Sequence, residues 1–223
     1  MDERRLTIPD PDERADFAAF LTRALRLDEA AVVRLKTRGP GSFAAWFATG
    51  FDVLAARSFG GELVPDDIVA GADHLLHAAQ AGTGPIDPGF ALDSSWRGSL
   101  PPADGFDHLD DVPAHVFDEL ARSGVELAEE HGEHGPPTSL LDQEVLTVER
   151  RDPAEESADS VGVDMRMVFA LSAMGFVPRV RADDSRPTEV VRIRASRAWT
   201  RVDARYGSVY RRRDTGLSLT PVG

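Results

Sequence analysis

Cysteine is absent from the 223-residue sequence, and lysine occurs once, at Lys36. Without cysteine the chain can form no disulfide, no thiolate nucleophile and no cysteine-ligated metal site. The other 24 basic residues (25 minus one) are arginines, a bias typical of GC-rich coding sequences such as those of actinobacteria. Aromatic residues make up only 7% of the chain, so we expect a core built largely from alanine, valine and leucine.

Long apolar runs are also missing. No stretch approaches the roughly 18 uninterrupted apolar residues of a membrane-spanning helix. The N-terminal sequence MDERRLTIPDPDERADF is charged and lacks the apolar segment of a secretory signal. We therefore predict a cytoplasmic protein that makes no membrane contact.

The motifs of several common enzyme classes do not occur. There is no phosphate-binding G-x-x-x-x-G-K-[ST] loop, and the sequence GTGPID at residues 82–87 lacks the third glycine of a dinucleotide-binding loop. Neither G-x-S-x-G nor H-E-x-x-H is found. We predict no cofactor, and enzymes with scattered active-site residues stay open as a class.

The net charge of −13 is divided unevenly along the chain. Residues 1–177 carry 14 basic and 33 acidic side chains, a net of −19, whereas residues 178–223 carry 11 and 5, a net of +6. The overall negative charge disfavours non-specific contact with nucleic acid, which is a possible but not a favoured partner. The basic C-terminal segment is the first place to look for function.

Hydrophobic periodicity predicts an α+β fold with mixed or antiparallel sheets, about four flanking helices and two possible lobes. The first lobe, residues 1–81, is predicted as a helix, a three-strand meander and a second helix. These elements are a helix over 12–27, strands over 32–37, 43–49 and 51–58, and a helix over 65–81. Residues 82–106 are rich in glycine and proline and are predicted to form a connecting loop.

The second lobe, residues 107–223, is predicted to end in an arginine-rich β-hairpin. Its elements are a helix over 112–130, a strand over 140–148, a helix over 161–174, and strands over 176–181, 190–195, 199–206 and 217–219. The acidic pairs Asp66-Asp67 and Asp110-Asp111 fall at predicted helix starts and are interpreted as caps. The sequence leaves open whether the two lobes share one sheet.

Arginines alternate with apolar residues in the C-terminal strands. A period of two places Arg192 and Arg194 on one side of their strand and Arg201 and Arg205 on one side of the next, with Asp203 between them. If the strands pair in register, the four arginines form one cationic face. Arg211 to Arg213 are predicted to extend this face.

Three interpretations of the cationic face stay open. It is solvated, or neutralised by acidic groups of the same chain or of a second copy. Alternatively, it binds an anionic small molecule through the two-pronged hydrogen bonds of arginine. The third possibility is nucleic acid, with Trp199, Tyr206 or Tyr210 available for stacking on bases.

Trp96 and Arg97 lie in the middle of the predicted connecting loop, in the sequence SSWRGS. A tryptophan in such a loop most often anchors it on the core. The alternative is a ligand site in which Trp96 forms a wall and Arg97 contacts an anion.

All six histidines fall between residues 74 and 134, including two H-x-x-H pairs, His74 with His77 and His131 with His134. Histidines three apart on a helix share a face, and Asp66 would supply a carboxylate for a metal. On the predicted second helix, however, His74 and His77 point away from the apolar face. A solvated polar face is therefore favoured over a metal site, and a loop is favoured for the second pair.

Three functional hypotheses follow from these features. The first is a non-enzymatic binding protein whose arginine face recognises an anionic ligand or an acidic protein surface. The second is a metal-dependent hydrolase or isomerase that uses histidine and aspartate ligands. The third is a homodimer in which the arginine face meets an acidic surface of a second copy.

Overall fold

The computed structural model describes residues 4–131, 137–150, 159–178 and 189–213. Its first half contains eight elements in chain order: β1 (Arg5–Thr7), α1 (Pro11–Leu27), β2 (Val32–Gly39), β3 (Ser42–Ala48), β4 (Leu54–Gly60), β5 (Glu62–Val64), β6 (Asp67–Gly71) and α2 (Ala72–Gln80). A single 3-10 turn follows at Asp93–Ser95.

The second half contains nine elements: β7 (Asp107–Pro113), α3 (Ala114–His131), α4 (Thr138–Leu141), β8 (Glu144–Arg150), β9 (Asp159–Asp164), α5 (Met165–Ala173), β10 (Val190–Ala195), β11 (Trp199–Ala204) and β12 (Gly207–Arg212). The predicted α+β fold is confirmed, and every strand pair in the described residues is antiparallel. No helix in these ranges combines the length and apolarity that a membrane crossing requires.

One eight-stranded sheet joins the two halves, in the order β6-β2-β3-β4-β12-β11-β10-β7. The halves meet where β4 pairs with β12, through Leu54–Tyr210, Ala55–Val209 and Ala56–Ser208. This seam answers the question that the sequence left open, because both halves contribute four strands to the same sheet.

The two halves are built on a common plan. In each, a helix (α1 or α5) leads into a three-strand meander (β2–β4 or β10–β12), and an edge strand (β6 or β7) leads directly into another helix (α2 or α3). The strand before the first helix pairs in a separate two-stranded sheet, β1 with β5 and β9 with β8. Helix α1 packs against α2 and α3 packs against α5, so one face of the sheet is covered by two helix pairs.

The first helix forms where the sequence predicts it. Asp10 is its N-cap, with a side chain that accepts a hydrogen bond from the Asp12 N–H at 2.8 Å, and Pro11 occupies the first turn. Phe17 and Phe20 are buried on the helix face that meets the sheet. The ring of Phe17 packs edge-to-face on Phe59, with centroids 5.3 Å apart, so α1 is held by the helix-side core.

The predicted second helix is wrong in its first seven residues. Asp67–Gly71 is a strand paired with β2, and the helix begins only at Ala72. Asp66 and Asp67 therefore do not cap a helix. Ile68 and Val69 are consecutive buried residues of an edge strand, and their apolar run fits a helix or a strand equally well.

The second half departs from the prediction for a similar reason. Asp110 and Asp111 lie within β7 rather than at a helix cap. The predicted helix over 161–174 is strand β9 up to Asp164, whose side chain then caps α5 by accepting from the Met167 N–H at 3.1 Å. Strand β12 was not predicted, residues 176–178 are not a strand, and residues 179–181 and 217–219 lie outside the described ranges.

Candidate binding face on the outer side of the sheet

The face of the eight-stranded sheet opposite the helices is here called the outer face. Alternate strand residues point to it and form a second apolar cluster, separate from the helix-side core. Its buried members are Ala44, Trp46, Ala56, Trp199 and Tyr210. Three side chains of the segment between the halves, Trp96, Leu100 and Phe106, pack on this cluster and form a roof over part of it.

The β10–β11 hairpin places Arg192, Arg194 and Arg201 on the outer face. In the strand register Arg192 lies opposite Asp203, and Arg194 lies opposite Arg201. The Arg201 Nε donates to Asp203 Oδ1 at 2.7 Å, and the Arg194 Nε lies 3.3 Å from Asp203 Oδ2. Two guanidinium groups therefore share one carboxylate, which leaves one positive charge in excess at this point.

Arg201 is held between two aromatic rings. Its guanidinium carbon lies 5.3 Å from the centroid of Tyr210 and 5.6 Å from that of Phe106. Cation–π contacts of this kind stabilise a guanidinium that has lost part of its water. Burial raises the pKa of the Tyr210 hydroxyl above its ordinary value, although the positive charge of Arg201 acts in the opposite direction. Tyr210 thus stays a neutral hydrogen-bonding group.

Three buried N–H groups of this face make no hydrogen bond to any described residue. They are the indole nitrogens of Trp46 and Trp96 and the Nε of Arg194. The Arg194 Nε is close to Asp203 but does not meet it with hydrogen-bond geometry. A buried donor without an acceptor costs roughly 1–3 kcal/mol, and these three nitrogen atoms are themselves inaccessible to solvent, so ligand contacts on this face fall to its partly exposed guanidinium groups.

Arg212 extends the outer face beside Trp199, but Arg205 and Arg211 do not belong to it, which corrects the prediction of one continuous face. Arg205 lies beyond β11 in a turn, where it pairs with Glu189, and this hydrogen bond raises its pKa. Arg211 points to the helix side, where it pairs with Asp164. Arg212 packs over Trp199 at 4.9 Å, and Arg213 donates to the Ser196 carbonyl at 3.2 Å.

Arg192 occupies the border of the outer face. Its Nε lies 3.8 Å from Asp111 Oδ1 on β7, and about half of its side chain (51%) is exposed. At this exposure the ion pair contributes little to stability, and the guanidinium keeps donors for another partner.

Trp96 contacts a different arginine from those that the sequence singled out. Arg34 lies 6.0 Å from its ring and donates two hydrogen bonds to Asp67, at 2.8 and 2.7 Å. These bonds hold the pKa of Asp67 below its ordinary value. Strands β2 and β10 are five strand spacings apart, roughly 24 Å, so Trp96 and Arg194 lie at opposite ends of the face. Arg97 is exposed.

Sequence reasoning missed Arg34, Trp46 and Phe106 as members of this face. The signal for Arg34 was present, because Arg34 and Lys36 alternate with the buried Val33 and Leu35 along β2. No local pattern could have placed Phe106 beside Tyr210, because the two residues are far apart in the sequence and their rings meet only in the folded sheet.

The predicted metal ligands do not form a cluster. His74 and His77 are exposed on α2, whereas Asp66 precedes β6 and accepts a hydrogen bond from the Thr37 hydroxyl at 3.2 Å. The described ranges contain no group of three histidine or acidic side chains with the geometry for a metal ion. The side chain of His131 and the whole of His134 lie outside the described structure.

Family models match both halves of the chain. Residues 101–216, more than half of the sequence, match a domain described as "Domain of unknown function (DUF8185)". The chain belongs to the DUF8185 family. Residues 1–98 match a second model, "Domain of unknown function (DUF8010)". The two matches meet within the segment that carries the roof. Among curated proteins, none matches the chain.

Several solved structures share the fold. A putative DNA polymerase III beta subunit from Eubacterium rectale superposes with a TM-score of 0.57 at 9% identity, over 94% of this chain and 64% of that one. The DNA polymerase III beta sliding clamp from Bartonella birtlesii gives 0.56 at 14% identity, over 97% and 66%. The beta subunit from Streptococcus pyogenes gives 0.55 at 10%, over 93% and 64%. The chain thus has a sliding-clamp-like fold and spans slightly less than two thirds of these relatives.

Proposed function

We propose that this protein is a non-enzymatic binding protein whose outer face recognises an acidic segment of a partner protein. The observation that carries the proposal is the sharing of Asp203 by Arg194 and Arg201, on a face with three unsatisfied buried donors. The clamp-like fold supports a binding role in general terms. The similar structures are named as polymerase subunits and sliding clamps. For this chain we propose only that the fold binds a partner protein.

An anionic ligand fits the electrostatics of the face. Asp203 can neutralise only one of its two arginines, and the side chains of Arg194 and Arg201 are 36% and 19% exposed. Salt screens such half-buried charges less than it screens fully exposed ones. A carboxylate accepts two parallel N–H bonds from one guanidinium, so an acidic side chain of a partner would neutralise the excess positive charge beside Arg194.

An extended peptide fits the face better than a compact anion does. The partly exposed arginines of the face lie on separate strands, from Arg34 on β2 to Arg192 and Arg194 on β10. That span is five strand spacings, roughly 24 Å, which is about the length of seven residues of extended chain. A small anion at Arg194 would contact only one end of this span.

Nucleic acid fits the molecule less well. The net charge is −13, and the exposed side of α3 carries more acidic than basic residues (Asp118, Glu119, Glu126 and Glu129 against Arg122). The phosphate backbone interacts with the field of a whole protein surface, which here is repulsive. Trp199 and Tyr210 are 7% and 4% exposed, so they offer no free ring for stacking on a base.

The proposal is tested with an acetylated hexaglutamate peptide as the probe, by isothermal titration. We expect the double variant Arg194→Gln, Arg201→Gln to bind at least about tenfold more weakly, because each charge-assisted hydrogen bond is worth about 1.5–3 kcal/mol. Arg205→Gln removes one positive charge from the turn, away from the outer face, and should bind like the wild type. Arg194→Lys keeps the charge but loses the two-pronged hydrogen bond of the guanidinium. Its affinity for the peptide should therefore lie between those of the wild type and the double variant.

Thermal unfolding shows whether the double variant is folded, and Arg194→Lys serves as the readout if it is not. A wild-type protein that does not bind the peptide would overturn the proposal, as would equal weakening by Arg205→Gln. Inorganic phosphate, titrated in parallel, separates a peptide site from a general anion site, since a phosphate affinity equal to that of the peptide contradicts recognition of an extended segment.

Self-association through the same face is a second candidate, favoured by the opposite charges of the outer face and the helix layer. It predicts an oligomer in sedimentation at low ionic strength that dissociates as salt is added. A concentrated monomer at low salt contradicts it. The division into residues 1–81, 82–106 and 107–223 stays part of our proposal. A metal-dependent hydrolase or isomerase has no support from the placement of His74, His77 and Asp66.

A further inference from the structure

Phe90 is the most exposed large apolar side chain of the described chain, with 92% of its surface in contact with solvent. It lies in the segment between α2 and the roof, close to the edge strand β6. A single exposed apolar residue needs no explanation when its loop is free to move. This loop, however, is fixed by contacts on both sides of the phenylalanine.

The fixing contacts begin with Arg4. Its guanidinium donates to the Gly89 carbonyl at 2.6 Å and to the Val69 carbonyl of β6 at 2.9 Å. After the phenylalanine, the Leu92 N–H donates to the same Val69 carbonyl at 3.2 Å. The residues on either side of Phe90 are therefore attached to one point of the sheet edge.

Gly89 fixes the direction of the loop. Its φ of +71° lies in the region that other residues rarely adopt, and a Cβ here would approach the His74 ring to 2.7 Å. The Gly89 N–H also donates to Asp87 Oδ1 at 2.8 Å. Phe90 is thus a pre-positioned apolar projection, which lowers the entropy cost of inserting it into a partner.

The same molecule contains a groove of suitable size and chemistry. A cavity of about 470 Å³ lies between α1 and α2, and a cavity of about 150 Å³ suffices to hold a benzene ring. Its apolar lining comes from Ile8, Pro9, Pro11, Ala15, Ala18 and Ala19. The rim is formed by the uncharged polar side chains of Thr22, Gln80 and Thr83.

The groove is preformed because Arg14 fixes its floor. The side chain of Arg14 is buried, and its guanidinium donates to the carbonyls of Ala79 and Gly84 at 2.8 Å each and of Ala78 at 3.2 Å. These bonds satisfy the C-terminal end of α2 and hold it against α1. Because each guanidinium nitrogen of Arg14 already donates to one of these carbonyls, the side chain needs no water in the groove, and an apolar ring is able to enter.

We propose that Phe90 of one copy of this protein inserts into the α1–α2 groove of a second copy, and that the second copy does the same in return. Thr83 at the groove rim and Phe90 belong to one segment, at most about 25 Å apart along the chain. A two-fold axis beside this segment brings each phenylalanine to the other groove at once, so the contact closes as a dimer rather than a fibre. Because Thr22, Gln80 and Thr83 are uncharged, no charged group at the rim has to be desolvated when the phenylalanine enters.

The proposal is independent of the outer face and is tested by sedimentation velocity across a concentration series. We expect Phe90→Ala to weaken the dimer about 30-fold or more, as for a central aromatic anchor. Ala15→Trp, at an exposed position of the groove, should block entry and weaken it similarly. Val125→Ala removes another exposed apolar side chain, 47% exposed on α3, and should leave the association unchanged.

Mixing the two variants gives the decisive comparison. Phe90→Ala keeps an open groove and Ala15→Trp keeps its phenylalanine, so the mixture should regain one of the two contacts and associate more strongly than either variant alone. A wild-type monomer throughout the series overturns the proposal, as does a Phe90→Ala protein that associates like the wild type. Unchanged thermal unfolding of Phe90→Ala, measured at concentrations where the wild type is monomeric, confirms that folding is not the cause.

Discussion

The two faces of the eight-stranded sheet derive from the same alternation of strand residues and yet differ in kind. The helix side is closed by continuous apolar packing, in which Phe17, Phe43 and Phe59 contact one another. On the outer side, aromatic rings are interleaved with arginines and covered by one glycine- and proline-rich segment. The first face maintains the fold, and the second retains half-buried charge that the fold itself does not require.

The largest effect that sharpens this contrast is expected on the helix side. Phe17→Ala removes a fully buried ring from between Phe43 and Phe59, and such a change costs about 3–5 kcal/mol in the free energy of unfolding. Denaturant titration measures the loss. Phe90→Ala deletes the same side chain from an exposed loop and, at protein concentrations low enough for both proteins to be monomeric, should change stability by less than about 0.5 kcal/mol. Equal losses would contradict the burial on which the contrast depends.

A smaller effect is expected where the roof meets the outer face. Trp96→Ala removes the half-buried ring that packs on the outer cluster, and we expect about 2 kcal/mol of destabilisation, less than for a core aromatic residue. Amide hydrogen exchange should accelerate in residues 93–106 and stay unchanged in α1. Arg97→Ala, next in the sequence and exposed, is the matched control. Faster exchange in α1 would show that the two faces are not energetically separate.

The smallest effect concerns the ion pair beneath the roof. Because Arg34 lowers the pKa of Asp67 in the folded state, the pair stabilises the protein fully above the ordinary carboxyl pKa of about 3.9, and this contribution is lost as the pH falls through the folded value. With 34% of the Asp67 side chain exposed, we expect Asp67→Asn to cost at most about 1 kcal/mol at neutral pH. Unfolding curves of the variant and the wild type should converge in acid, and a constant difference would contradict the pair.

Local rules in the sequence were enough to predict α1 and the two strands of the C-terminal hairpin. A cap, a first-turn proline and a 3.6-residue apolar period coincide in α1, and strict alternation defines β10 and β11. Strands β6, β7 and β9 were missed because each leads directly into a helix and was predicted wholly or partly as part of that helix. The pairs Asp66-Asp67 and Asp110-Asp111 satisfy the rules for a helix cap and for an edge strand alike.

The candidate face could be predicted only in part for a different reason. The hairpin supplies Arg192, Arg194 and Arg201, and these were identified from alternation alone. Trp46 comes from β3, which approaches the hairpin through the pairing of β4 with β12, and Trp96 and Phe106 come from the roof. Residues that distant in the sequence leave no periodic trace in either segment.

That pairing also determines the order in which the protein is able to assemble. The residues that meet at the seam are more than 150 positions apart in the sequence, and contacts of such separation form slowly. During synthesis the first half emerges with β4 as a bare strand edge, and it stays bare until β12 has left the ribosome. A nascent or prematurely ended chain therefore presents an unpaired strand edge, the kind of surface that associates with other chains.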